Sequence, residues 1–149
     1  MKNLILTIIM VFTLQTNLFS QEKLKDWLSY KELYALSQDN LINKPVFVFI
    51  GKNNCPYCKK EIERIKNSAE FSKYLNNNFI TVFINQDEDF TPVDLYSEMV
   101  PAFYILEPYS LRKLVKPGYG AIPLEHLKDW LKDISRKFNK YNKTLKEVK

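Results

Sequence analysis

The sequence predicts an α/β domain: a central mixed sheet with helices on both faces. Three observations carry this. Val46-Phe47-Val48-Phe49-Ile50 is an unbroken apolar run of strand length, and a run without polar alternation marks a strand covered on both sides. Phe79 to Ile84 is a second such run, reached through a helix-length crossover and therefore expected to lie parallel to the first. Leu124, Leu127, Leu131, Ile134 and Phe138 recur at helical spacing near the C-terminus, a stripe for packing on a sheet.

Length and composition bound what the domain can be. At 149 residues, 46% of them hydrophobic, the chain can bury one proper core and is not a disordered segment. Its formal charge of +5 does not make it a nucleic-acid binder, because the lysines are scattered among acids and the densest basic stretch is the C-terminal tail. A solvated surface is expected, with a mild preference for acidic partners or an anionic membrane face. Residues 1–20 read as a signal peptide and 21–149 as the folded domain. Lys2 supplies the positive start, Leu4 to Leu14 the apolar run, and Asn17-Leu18-Phe19-Ser20 the exit before Gln21. The apolar run is about half the length that spans a bilayer. Cleavage, leaving a periplasmic or secreted protein, is the expectation, with an uncleaved N-terminal membrane anchor as its alternative.

Along the mature chain, Leu24 to Leu28 is expected to be extended. Ser29 stands three residues before Glu32, a capping-box spacing with Leu28 and Leu33 at the staple positions, so a helix is predicted from Tyr30 to about Gln38 that buries Leu33, Tyr34 and Leu36. Pro45 closes the connection before the first strand. A helix opening at Cys55 places Cys58, Ile62, Ile65 and Ala69 on its inner face. Asn67, three before Glu70, signals a restart that ends near Asn76. Gln86-Asp87-Glu88-Asp89 reads as a solvated turn lacking calcium-loop spacing. Asp94 to Met99 is expected as a short helix. Ala102 to Leu106 and Leu111 to Lys116 are expected as an antiparallel hairpin. Gly118-Tyr119-Gly120 reads as a loop and Pro123 as the start of the last helix, with His126 off its apolar stripe. Asn139 to Lys149 is expected to fray, and Asn142-Lys143-Thr144 matches a glycosylation sequon.

The chemistry lies in Cys55-Pro56-Tyr57-Cys58, which holds the only two cysteines of the chain. A C-x-x-C pair at a helix start puts the first sulfur against unpaired amides and the positive end of the helix dipole, which stabilise a thiolate. The second sulfur lies one turn on, within reach of a mixed disulfide formed by the first. Pro56 fits the first turn because its missing N–H has no partner there, and Lys52, Lys59 and Lys60 add positive charge. Cys55 is thus the expected nucleophile and Cys58 the resolving thiol. The alternatives are a structural disulfide, which would close too short a loop to constrain much, zinc, for which four ligands are lacking, and an iron–sulfur cluster shared between subunits.

With C-P-Y-C at the first strand-to-helix junction and Met99-Val100-Pro101 before the third core strand, the element order resembles the thioredoxin fold over residues 24–138. Exported thioredoxin-like proteins and the C-terminal domain of the DsbD type are the most similar group, sharing Asn43-Lys44-Pro45 before the first strand, a restarted helix and a strand ending in acids. The resemblance implies that Pro101 is cis and faces the sulfurs, with Pro56, Tyr57 and Pro101 as active-site support. It implies that Val100 pairs with an extended substrate peptide, rimmed by Gly118, Tyr119 and Gly120. Two departures stand out: thioredoxin's buried acid before the motif has no counterpart in Val46 to Ile50, and its Trp before the first cysteine is Asn54 here. The implied function is an exported thiol:disulfide oxidoreductase for protein clients, a monomer without metal or cofactor, working with a membrane electron donor or acceptor. Reduction is the expected direction; an oxidant of the same fold and a non-catalytic peptide-binding scaffold are the alternatives.

Overall fold

The structure is a computed structural model that describes residues 27–147. The expected signal peptide, and most of the extended piece from Leu24, lie outside those residues. Leu28 does extend the sheet: its N–H donates to Thr81 O at 2.9 Å, and its carbonyl accepts from Phe83 N–H at 3.0 Å.

Helix α1 spans Tyr30–Gln38 with the anticipated capping box, in which Glu32 N–H donates to the Ser29 hydroxyl and the Glu32 carboxylate accepts from Ser29 N–H. Leu33 and Ser37, one turn apart, are its buried residues. Tyr34 was expected inside and is 53% exposed, because so short a helix lays only a narrow stripe on the sheet. Strand β1, Val46–Gly51, is buried along its whole length, as its pattern requires.

Helix α2, Pro56–Asn67, and helix α3, Ala69–Asn78, meet at Ser68. This residue ends one helix through its N–H to Arg64 O and caps the next through its hydroxyl, which accepts from Phe71 N–H at 3.3 Å. The restart is where the sequence places it, but the cap is Ser68 rather than Asn67. Turning the axis there swings Ala69 to the surface; within α2, Cys58, Glu61 and Ile65 are buried and Ile62 is partly buried. Helix α3 also runs past Asn76, its end closed by the Asn78 amide on Tyr74 O at 2.8 Å.

Strand β2, Ile80–Asn85, pairs parallel with β1; strand β3, Ala102–Leu106, pairs antiparallel on the other side of it. Between them, only Val93–Leu95 forms a single 3-10 turn instead of the expected helix to Met99. The Gln86 side chain takes up the backbone N–H and C=O of Ser97, the groups a continuing helix would need.

The expected hairpin arm Leu111 to Lys116 is not a strand. Lys113 alone bridges Leu106, and the true return strand, β4, is Gly118–Tyr119, which was read as loop. Leu111 sits at φ 54°, Glu107 ties the turn to Tyr109 and Ser110, and Pro117 brings no N–H to a ladder, so pairing resumes only beyond it. Helix α4, Leu124–Glu147, continues through the segment expected to fray and includes Asn142 of the sequon. It contains no Gly or Pro, and Asp133 pairs with Arg136 and Lys137 on its solvent side.

The sheet order is β2-β1-β3-β4. Phe47, Phe49, Phe103 and Ile105 face α2, α3 and α4 through Ile65, Phe71, Leu75, Leu127 and Leu131. Val46, Val48, Ile50, Val82 and Tyr104 face α1 and the 3-10 turn through Leu33 and Leu95. Helices therefore cover both faces, as expected, and no described helix is long and apolar enough to cross a membrane.

Candidate active site

Beyond Gly51 the chain leaves β1 and turns through Asn54, whose φ of 54° lies in the left-handed region that Asn tolerates. The turn is fastened from the end of β2. Asn53 N–H donates to Asp87 Oδ2 at 2.8 Å, its side-chain amide donates to Glu88 Oε1 at 2.7 Å, and Asn85 donates to Asn53 Oδ1 at 2.8 Å. The acidic turn read as merely solvated is exposed, yet it anchors the cysteine loop.

Cys55 then serves as N-cap of α2, with Pro56 in the first turn, and its sulfur accepts the Cys58 N–H at 3.1 Å. The two cysteines form a disulfide, with an S–S distance of 2.14 Å and Cα atoms 5.2 Å apart. Both cysteines are buried, Cys55 9% and Cys58 5% exposed. Tyr57 projects outward at 69% exposure. The expected charges distribute unevenly: Lys52 lies over the Tyr96 ring at 5.7 Å, while Lys59 and Lys60 face solvent.

Across from the loop, the Val100–Pro101 peptide bond is cis. Strand β3 begins at the next residue, Ala102, which pairs with Ile50 on one side and Tyr119 on the other. This register brings Val100, Pro101, Gly118 and Tyr119 to the end of the sheet where β1 hands over to the cysteines. Gly120 N–H donates to Pro101 O at 2.8 Å, and Gly120 itself adopts φ 75°. Ile122 Cδ1 lies 2.9 Å from where a Cβ on Gly118 would stand. Met99, Tyr96 and Tyr119 are exposed around Val100, which packs against both core clusters.

Two features escaped the sequence reading. Burial lifts the Tyr104 phenol above its ordinary pKa; neighbouring Tyr119 adds to the effect and a hydrogen bond with Ser97 opposes it. Glu61 is a buried acid one turn beyond Cys58, paired with Arg64, whose guanidinium also donates to the Ile122 carbonyl. Its place at i+3 from Cys58 and i−4 from Ile65 was visible as an acid interrupting an apolar stripe. His126 is exposed on α4, as its position beside the stripe implied.

A family model for the thioredoxin-like domain matches residues 35–135, which includes the cysteine loop, the cis-prolyl turn and most of the sheet-facing part of α4. The chain belongs to the thioredoxin-like domain family. An uncharacterized protein of Archaeoglobus fulgidus is 30% identical over 100 residues, covering 66% of this chain and 76% of that one. An uncharacterized protein of Caenorhabditis elegans is 33% identical over 79 residues, 52% of this chain but only 10% of its own length. Among solved structures, a thioredoxin from Thermus thermophilus superimposes with a TM-score of 0.58 at 23% identity, over 72% of this chain and 85% of that one, a likeness of fold. A thioredoxin-like domain with a vicinal cysteine pair at a helix start is equipped for thiol–disulfide exchange.

Proposed function

We propose that the protein is an exported thiol:disulfide oxidoreductase that reduces disulfides in protein clients. The observation that carries this reading is the Cys55–Cys58 disulfide at the N-cap of α2, its first sulfur hydrogen-bonded by a helix amide and the cis-prolyl turn beyond the end of β1. In the reduced protein, the amide that reaches Cys55 Sγ favours its thiolate. That thiolate attacks a client disulfide, forming a Cys55–client bond while the displaced client sulfur leaves as thiolate and takes a proton. Cys58, losing its proton, attacks Cys55 Sγ, closes the intramolecular disulfide and expels the second client thiolate. The client gains two electrons and the protein loses two, which a dithiol donor at the membrane restores.

Client recognition is assigned to the Val100 backbone. Among the described residues no backbone hydrogen bond falls on Val100, so an extended peptide can add there as a short strand. Exposed Tyr57, Met99 and Tyr119 supply apolar contacts around it. The protein acts as a monomer in the periplasm or outside the cell, after removal of residues 1–20.

A Cys58→Ser variant tests the enzyme. It accumulates client-linked adducts through Cys55 that dissolve in reductant, whereas a scaffold that only binds peptide holds the same clients without either thiol. Titration of the Cys55–Cys58 pair against a glutathione buffer tests the direction. A potential at the reducing end of a family range spanning well over ~100 mV supports the reductase, and one at the oxidising end reverses it.

A further inference from the structure

We infer that Ser97 is the positioning residue for client binding: held by Gln86, it turns the Met99 carbonyl inward and leaves the Val100 backbone free to receive an extended peptide. The inference rests on the client-exchange reading above and names the residue that shapes its binding edge.

Ser97 is buried at 5% exposure in an irregular segment where an unpartnered hydroxyl would be costly. Its hydroxyl donates to Met99 O at 2.6 Å, closing a tight turn just ahead of the cis-prolyl bond. Its backbone is gripped on both sides by one side chain: Gln86 Nε2 donates to Ser97 O at 2.8 Å, and Ser97 N–H donates to Gln86 Oε1 at 3.2 Å. A primary amide engaging both peptide groups of one residue imitates a strand neighbour, so a segment without ladder partners is fixed as a strand would be. Gln86 is itself rigid, since its N–H donates to Gly51 O at 2.9 Å.

The consequence is directional. With Met99 O bound to Ser97, the peptide plane before Val100 is set, and Met99 keeps its side chain outside at 61% exposure. Tyr104, on β3 behind this turn, is buried and neighbours both Ser97 and Tyr119. Freed from Ser97, the Met99 carbonyl can rotate outward, and a client must spend binding energy to restore the edge.

The test is steady-state reduction of insulin disulfides, with dithiothreitol as electron donor, by the full mature chain and its Ser97→Ala and Ser97→Thr variants. Ser97→Ala raises KM for insulin by about 3- to 10-fold, the worth of one lost hydrogen bond, with kcat held within about twofold. Ser97→Thr, which keeps the hydroxyl, returns KM towards wild type. The reduction potential of the cysteine pair stays at its wild-type value in both variants, a readout that general loosening of the site would move. Gln86→Leu, which leaves Ser97 intact but releases its backbone, raises KM in the same way. An unchanged KM in Ser97→Ala overturns the inference, as does a fall in kcat with a shifted potential. Wild-type protein inert towards insulin sinks the oxidoreductase reading itself, and the clamp with it; an active wild type with an indistinguishable Ser97→Ala sinks the clamp alone.

Discussion

Removing the partner of Glu61 strands a buried carboxylate on the cysteine helix without touching a cysteine. The Glu61 side chain is only 3% exposed and its ion-pair partner is Arg64, whose own side chain is 35% exposed. Breaking a buried pair by deleting one partner costs about 3–5 kcal/mol, because the remaining charge is left without compensation. Here the Arg64 side chain is 35% exposed and water can follow into the gap, which pulls the expectation for Arg64→Met to about 2–3 kcal/mol, part of it from the lost hydrogen bond to the Ile122 carbonyl. For a chain of this length each kcal/mol moves Tm by about 2–4 °C, so the variant melts about 4–12 °C below wild type. Glu61→Leu in the same background removes the stranded carboxylate and replaces the pair by apolar contact with the surrounding core. The double variant therefore recovers most of the loss, since well-packed apolar replacements of buried pairs are neutral or stabilising. The assay is thermal unfolding followed by circular dichroism on the oxidised protein, so that the disulfide is constant across the cycle. An Arg64→Met protein melting within about 2 °C of wild type would refute the burial argument. A double variant as unstable as Arg64→Met would show that Glu61 was not the stranded group.

Other consequences are more local. Ile65→Ala, at a wholly buried position of α2, costs about 2–5 kcal/mol in denaturant unfolding; a loss under about 1 kcal/mol would mean that the inner face is not packed as described. Gly120→Ala destabilises by about 1 kcal/mol through its positive φ alone, since nothing crowds the added Cβ, and Gly120→Asn recovers part of the loss. Hydrogen bonds from Ser29 hold the Glu32 carboxyl below its ordinary pKa. A depressed folded-state pKa stabilises above the unfolded value and loses that contribution as pH falls through the folded one. Glu32→Gln accordingly lowers Tm at neutral pH, and the gap to wild type closes under acid conditions; a gap independent of pH would reject the capping-box role of the charge.

The sequence revealed elements whose residues answer to one local rule. Ser29 and Glu32 define a helix start on their own, and Val46 to Gly51 needs burial on both faces whatever surrounds it. The cysteine pair was likewise legible, because C-x-x-C carries its chemistry in the residue types, whereas the cis bond at Pro101 followed only from the resemblance to the thioredoxin fold. What escaped depended on partners distant in sequence. Val93–Leu95 stops after one turn because Gln86, eleven residues before Ser97, competes for the backbone that a helix would use. The return strand shifted to Gly118–Tyr119 because Leu111 and Pro117 defeat the β-rich pattern between them. Ala69 moved to the surface because Ser68, rather than Asn67, set the turn of the axis.

The same distant contacts reveal how the site is held. The turn after β2 does two jobs within a few residues: Asn85, Asp87 and Glu88 hold Asn53 of the cysteine loop, and Gln86 holds Ser97 ahead of the prolyl turn. Neighbouring side chains thus reach in two directions from a base that the parallel ladder Ile50↔Ile84 and Gly51↔Asn85 ties to β1. The β2 turn thus ties the cysteine loop to the segment ahead of the prolyl turn. On the proposed client-exchange reading, a common base for the cysteine loop and the prolyl turn is what lets a strand-like peptide meet Cys55 in a fixed register. Acidic residues at that position serve the geometry through their acceptor oxygens, and their charge is incidental to it: Asp87→Asn keeps an acceptor for Asn53 N–H and should preserve the loop, while Asp87→Ala should loosen it and slow client exchange at subsaturating client.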